Sequence, residues 1–197
     1  MAGEYASLDV LKQHLNIPVS DTTRDQLLTS AIAAASKAID RDTGRRFSLD
    51  SVASQRVYNP SGRRALTCEG ELLIVDDIGS ATGLIVETGS AGSWTTVTDY
   101  ETSPENALAR GFPVTALLRP SGSWGSGAQR VRVTARWGWP SVPDEVVMAT
   151  LIQATRLYKR ADTPEGVMGS AEWGVVRLAR IDPDVYALTK HYILPGF

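Results

Sequence analysis

Apolar positions recur at helical spacing near both ends of this chain and at strand spacing in its middle. Ser7 stands before Leu8, Val10, Leu11 and Leu15, and Asn16-Ile17-Pro18 interrupts the pattern, so a short first helix is predicted. A longer helix is predicted from Arg24 to Thr43. Thr22 and Asp25 have capping-box spacing at its start, and Gly44 follows its end as a residue that tolerates a left-handed backbone.

That second helix carries two adjacent seams. Leu28, Ile32, Ala35 and Ile39 form one, and Leu27, Ala31, Ala34 and Ala38 form the other. The second is mostly alanine, and small side chains let another helix approach closely, so the helix is expected to pack on two sides. The plain reading of Leu27, Ala31, Ala34 and Ala38 is therefore a core role within the chain, with packing between subunits as the alternative.

From about Val52 to Trp137 the pattern changes to short β-type runs separated by Gly, Ser, Asn, Asp and Pro: Gln55 to Tyr58, Leu72 to Val75, Leu84 to Glu87, Trp94 to Val97, Ala116 to Leu118 and Arg130 to Trp137. The last run alternates, placing Val131, Val133, Ala135 and Trp137 on one face and Arg130, Arg132, Thr134 and Arg136 on the other. Ser121 to Gly127 reads as a mobile Gly/Ser loop. A third helix is predicted to start near Pro143, with Asp144 and Glu145 at its positive end, Arg156, Lys159 and Arg160 at its negative end, and Val147, Leu151, Ala154 and Tyr158 as its stripe. Asp182-Pro183 is predicted to cap a last short helix bearing Val185, Leu188 and Tyr192.

These elements define an α+β fold: a small helical bundle from both chain ends, residues 1–51 and 138–197, with a β-rich subdomain at 52–137 inserted between the second and third helices. The span of 197 residues is enough for one core of this kind. Lys and Arg number 20 against 22 Asp and Glu, so the balance gives no chain-wide reason for tight nucleic-acid binding. Cys68 is alone, which excludes a disulfide within the chain and fits a reducing compartment. No apolar run approaches the roughly 20 residues of a membrane span, and the N-terminus lacks a basic then apolar leader, so a soluble, non-secreted protein is expected.

No catalytic, cofactor-binding or metal site is expected. His14 and His191 are the only histidines and belong to no ligand cluster. Phosphate-binding loops and nucleophile elbows are absent, and Cys68 lacks a nearby His or helix N-terminus. Asp76-Asp77 could serve a hydrolase but reads more simply as a turn after a strand. Arg130, Arg132 and Arg136 beside Trp137 and Trp139 suggest a nucleic-acid platform, yet the alternation puts Trp137 opposite the arginines.

The segment after Arg160 differs in kind. It is a Gly-containing loop, Ala161 to Gly174, whose Val167, Met168 and Trp173 have little reason to sit in solvent unless they dock on something. A run that could add a strand to another sheet follows, Val175 to Leu178; an intrachain hairpin and ordering on a partner are the two readings.

Four places together resemble the head-tail connector (adaptor, or head-completion) proteins of tailed bacteriophages. They are Tyr5 to Lys12; the alanine-rich helix ending Ala38-Ile39-Asp40-Arg41-Asp42-Thr43-Gly44-Arg45-Arg46-Phe47; Trp137-Gly138-Trp139-Pro140 with Val142-Pro143; and Ala154 to Arg160 with Pro164-Glu165-Gly166. The resemblance implies a non-enzymatic virion protein at the head-tail interface, present in the host cytoplasm during assembly. It implies a dodecameric ring on the portal protein, partnered below by a tail-proximal connector or stopper, with DNA passing through the channel without sequence-specific binding, no membrane and no cofactor. By position, Val167, Met168, Trp173, Val175, Arg177 and Arg180 are the candidate contacts with portal or neighbouring subunit. A nucleic-acid-binding module using the arginine-bearing strand or the N-terminal helices is the alternative.

Overall fold

In the computed structural model, which describes residues 3–161 and 182–194, helices from both chain ends gather in one unit made of residues up to Arg45 and from Val142 onward. Helix α1 (Leu8–His14) starts where Ser7 Oγ accepts the Val10 amide, and α2 (Asp25–Thr43) stops where Gly44 turns left-handed, φ 71°, and its amide donates to the Asp40 carbonyl. Thr22 does not cap α2. Arg24 occupies the cap position with no side-chain bond, while the Asp21 carboxylate accepts the Thr23 amide one turn earlier.

Helix α3 (Asp144–Ala161) begins directly after Pro143, whose carbonyl accepts the Val146 and Val147 amides. Leu28, Ala31, Ile32 and Ala35 of α2 close a core with Leu11 of α1 and Leu151, Ala154 and Tyr158 of α3. Helix α4 (Pro183–Thr189) returns to this unit. Asp182 caps it by accepting the Asp184 and Val185 amides, and its buried residues are Val185 and Thr189.

The second unit, Arg46–Ser141, is built on one antiparallel sheet. Its strands are β1 (Ser54–Tyr58), β2 (Arg64–Thr67), β3 (Gly70–Ser90), β4 (Ser93–Thr96), β5 (Glu101–Ser103), β6 (Val114–Arg119) and β7 (Arg130–Trp137). The main order is β1-β7-β3-β6-β5. The first half of β3 pairs with β2 and β6, the second with β4 and β7, and Ile78 stands opposite both Val114 and Trp137 where the partners change. Register shifts on either side of Ile78 bend the strand there, so one strand lines a closed core that includes Leu73, Ile78, Val86, Leu117, Trp124, Val133 and Trp137.

Three expectations are corrected. Asp76-Asp77-Ile78-Gly79 is the bend inside β3 and not a turn ending a strand, so Leu72 to Val75 and Leu84 to Glu87 belong to one strand. The Ser121 to Gly127 loop is pinned by Trp124, which is fully buried and donates its Nε1 proton to the Glu71 and Leu117 carbonyls at 2.9 and 3.2 Å. The sheet unit is also wider at both ends than 52–137, because Phe47 and Trp139 pack on each other with ring centroids 5.3 Å apart and Trp139 donates to Asp77. Gly138 explains the Trp-Gly-Trp spacing. It sits at φ 105°, and a Cβ there would overlap the Ser48 carbonyl oxygen.

Candidate assembly interface

Burial divides the alanine seam of α2. Ala31 is 6% exposed and belongs to the core, whereas Leu27 is 40% exposed, Ala34 is exposed and Ala38 is half-buried. Three of the four expected residues thus remain on an outer face, together with Ser30, Lys37 and Arg41. The first seam, Leu28, Ile32, Ala35 and Ile39, is buried along its whole length. A helix with one face saturated by its own chain and an opposite face of small and basic residues can take a second helix.

An unexpected residue holds this helix in place. Lys12 is 2% exposed; its ammonium lies 2.5 Å from Asp25 in the first turn of α2 and donates to the Val19 carbonyl at 3.2 Å. A lysine on a short amphipathic helix reads as solvent-facing, and only the position of Asp25 in the fold reveals the pair. Arg24 adds a second tie, donating to the Tyr158 hydroxyl of α3 at 2.7 Å.

Val167, Met168, Trp173, Val175, Arg177 and Arg180 lie outside the described residues, so the expected partner contacts are placed by sequence alone. What precedes and follows them is held firmly. Asp182 pairs with Arg156 of α3 at 3.1 Å, Arg45 donates to the Tyr192 carbonyl at 2.7 Å, and the Leu194 amide donates to the Thr43 carbonyl at the end of α2. The Tyr192 hydroxyl donates to Glu145, and burial followed by this hydrogen bond pushes its pKa up to about 12.

In the sheet unit the arginines are engaged with their own chain. Arg132 makes a two-pronged pair with Glu87 at 2.6 and 2.7 Å and lies 4.4 Å from the Trp94 ring centroid; Arg136 donates to the Asp50 carbonyl, and Arg130 to the Gly127 and Gln129 carbonyls. The strand alternates as read, with Val131, Val133, Ala135 and Trp137 buried. Trp137 meets a cation on the inner side, Arg56 of β1, 4.3 Å from its centroid. A guanidinium already paired and stacked has few donors left to present to phosphates.

Asp76 and Asp77 do not form a catalytic pair. Asp76 accepts from Arg56 at 2.7 Å, Arg63 at 3.1 Å and the Tyr58 hydroxyl at 3.1 Å, while Asp77 accepts from Trp139. Partial burial pushes the Asp76 carboxyl up, but the two arginines outweigh it and hold the pKa below the ordinary carboxylate range. Burial, then the Asp76 charge, raises the Tyr58 hydroxyl. Carboxylates held ionised by structural arginines are poor proton donors. His14 and His191 are both exposed, and Cys68 is exposed at the β2–β3 turn. Among the described residues no group of three or more His, Cys, Asp or Glu is placed to hold a metal, and no helix is long and apolar enough to cross a membrane.

Comparison with known proteins bears out the resemblance to connector proteins. Residues 5–71 match the family described as phage gp6-like head-tail connector protein, a structural family without enzymatic activity; the match takes in α1, α2 and the first two strands. No curated protein matches the chain. Two solved structures share its fold. One is a chain in the neck of an empty GTA particle computed with C6 symmetry, at 15% identity, covering 99% of this chain and 92% of that one with a TM-score of 0.57. The other is a chain in the virion of the native gene transfer agent (GTA) particle, at 15% identity, with the same coverage and a TM-score of 0.56.

Proposed function

We propose that this chain is a structural virion protein acting as a head-tail connector: an adaptor that forms a ring beneath the portal, extends the DNA channel and offers the tail its docking surface. The observation that carries the reading is the family match over α1, α2 and the start of the sheet unit, joined to a fold shared along 99% of the chain with a component of a particle's neck. In this reading the helical unit from both chain ends is the bundle that builds the ring, and the sheet unit is an insertion into it.

The physical features fit such a part. The outer face of α2 is small enough for close approach by another helix, near-neutral net charge avoids gripping DNA that must slide, and Arg130, Arg132 and Arg136 are engaged within the chain. A neck with C6 symmetry accommodates a ring of twelve, the stoichiometry proposed here. Portal above and a stopper or other tail-proximal connector below are the proposed partners, with Val167, Met168, Trp173, Val175, Arg177 and Arg180 as proposed contacts.

Native mass spectrometry of the chain mixed with the portal protein of the same phage tests this. A portal complex carrying twelve copies is expected; a chain that stays monomeric and ignores the portal overturns the reading.

A further inference from the structure

We infer that the outer face of α2 receives the outer face of α3 from the next copy of the chain, antiparallel, so that neighbouring subunits join through two different surfaces of the helical unit. This rests on the ring reading above and specifies its interface. On α2 the outer face is Leu27, Ala34, Ala38 and Arg41; on α3 it is Glu145, Met148, Ile152 and Lys159. Met148 is 44% exposed, an unbranched apolar side chain turned away from the core made by Leu151, Ala154 and Tyr158.

The two faces match in spacing and charge when run in opposite directions. Pairing Leu27 with Lys159, Ala34 with Ile152, Ala38 with Met148 and Arg41 with Glu145 keeps one register throughout, because the steps along α2 reverse those along α3. Both stretches are about 21 Å long at roughly 1.5 Å per residue. Met148 and Ile152 then fill the spaces above two alanines, and the stem of Lys159 covers Leu27.

Charge fixes the direction. The C-terminal half of the α2 face carries Lys37, 3.6 Å from Asp40, and Arg41, 3.3 Å from Asp42, and α3 opens with Asp144 and Glu145. All four of Lys37, Arg41, Asp144 and Glu145 are exposed, with one Glu145 oxygen also accepting the Tyr192 hydroxyl. Antiparallel docking brings these opposite charges together. Parallel docking would set Lys37 and Arg41 against Lys159 and Arg160, a like-charge contact that disfavours that orientation even with Asp40 and Asp42 beside the α2 cations. A surface whose complement lies elsewhere on the same molecule generates a ring or a filament, never a simple two-fold dimer.

The test uses the full chain with exposed Cys68 replaced by Ser, mixed with the portal protein and treated with a short bismaleimide. Chains bearing Ala38→Cys mixed with chains bearing Met148→Cys should cross-link as mixed dimers, and neither single variant should cross-link to itself. Arg41→Glu should weaken assembly by roughly tenfold, and adding Asp144→Lys should recover much of the loss. A multimer that assembles on the portal without the mixed cross-link, or with Ala38→Cys linked to itself, overturns this interface and leaves the ring standing. Absence of any multimer removes the ring reading and this interface with it.

Discussion

Lys12 buries its ammonium 2.5 Å from the Asp25 carboxylate, whose side chain is 30% exposed, and the pair fixes α1 against the first turn of α2. Removing only the acid strands the cation. Asp25→Ala should therefore cost about 3 kcal/mol of stability, somewhat less to the extent that water reaches the site, whereas Lys12→Met should stay within about 1.5 kcal/mol. Denaturant unfolding of both variants checks the asymmetry, and equal losses would show that the pair is not what holds α1.

Asp76 makes the sheet unit sensitive to acid. Its folded pKa is held below the unfolded value by Arg56 and Arg63, so its contribution is complete above about pH 5 and fades as pH falls through the lowered folded value. Thermal unfolding followed from pH 7 to pH 2 should show a decline at the acid end that is shallower in Asp76→Asn. An unchanged slope in that variant would mean the acid sensitivity arises elsewhere.

Gly138 permits a backbone crossing that no other residue can make. Gly138→Ala should lose about 3 kcal/mol or more, because both its positive φ and the Ser48 carbonyl oppose a Cβ. Gly62→Ala, where a Cβ meets nothing within 4 Å, should stay within about 0.5 kcal/mol. Soluble yield and melting temperature report both.

Arg132 separates the connector reading from the nucleic-acid reading. Arg132→Ala should lower the melting temperature, since it removes the Glu87 pair and the contact with Trp94, while affinity for duplex DNA and its salt dependence stay as in the parent chain. A loss of DNA affinity with a smaller salt slope would favour the nucleic-acid module.

The helices were legible because their signals are local. Ser7, Gly44, Pro143 and Asp182 act within one turn of where they stand, and the buried stripe of α2 follows a simple period. Thr22 misled because its main-chain carbonyl, and not its side chain, accepts the Asp25 amide. The long β3 was hidden because Asp76 and Asp77 look like turn residues until Arg56, Arg63 and Trp139 are brought to them from elsewhere in the chain. Strands β2 and β5 are four and three residues long and carry no apolar alternation, so only pairing with β3 and β6 makes them strands. At the candidate interface the sequence separated two seams on α2, but exposure was needed to return Ala31 to the core and to bring Met148 forward.

The central claim is a location, and electron cryomicroscopy of intact particles measures it. Density for this chain should form a ring of twelve between portal and tail, surrounding the DNA path; particles complete in head and tail with no such ring would contradict the account.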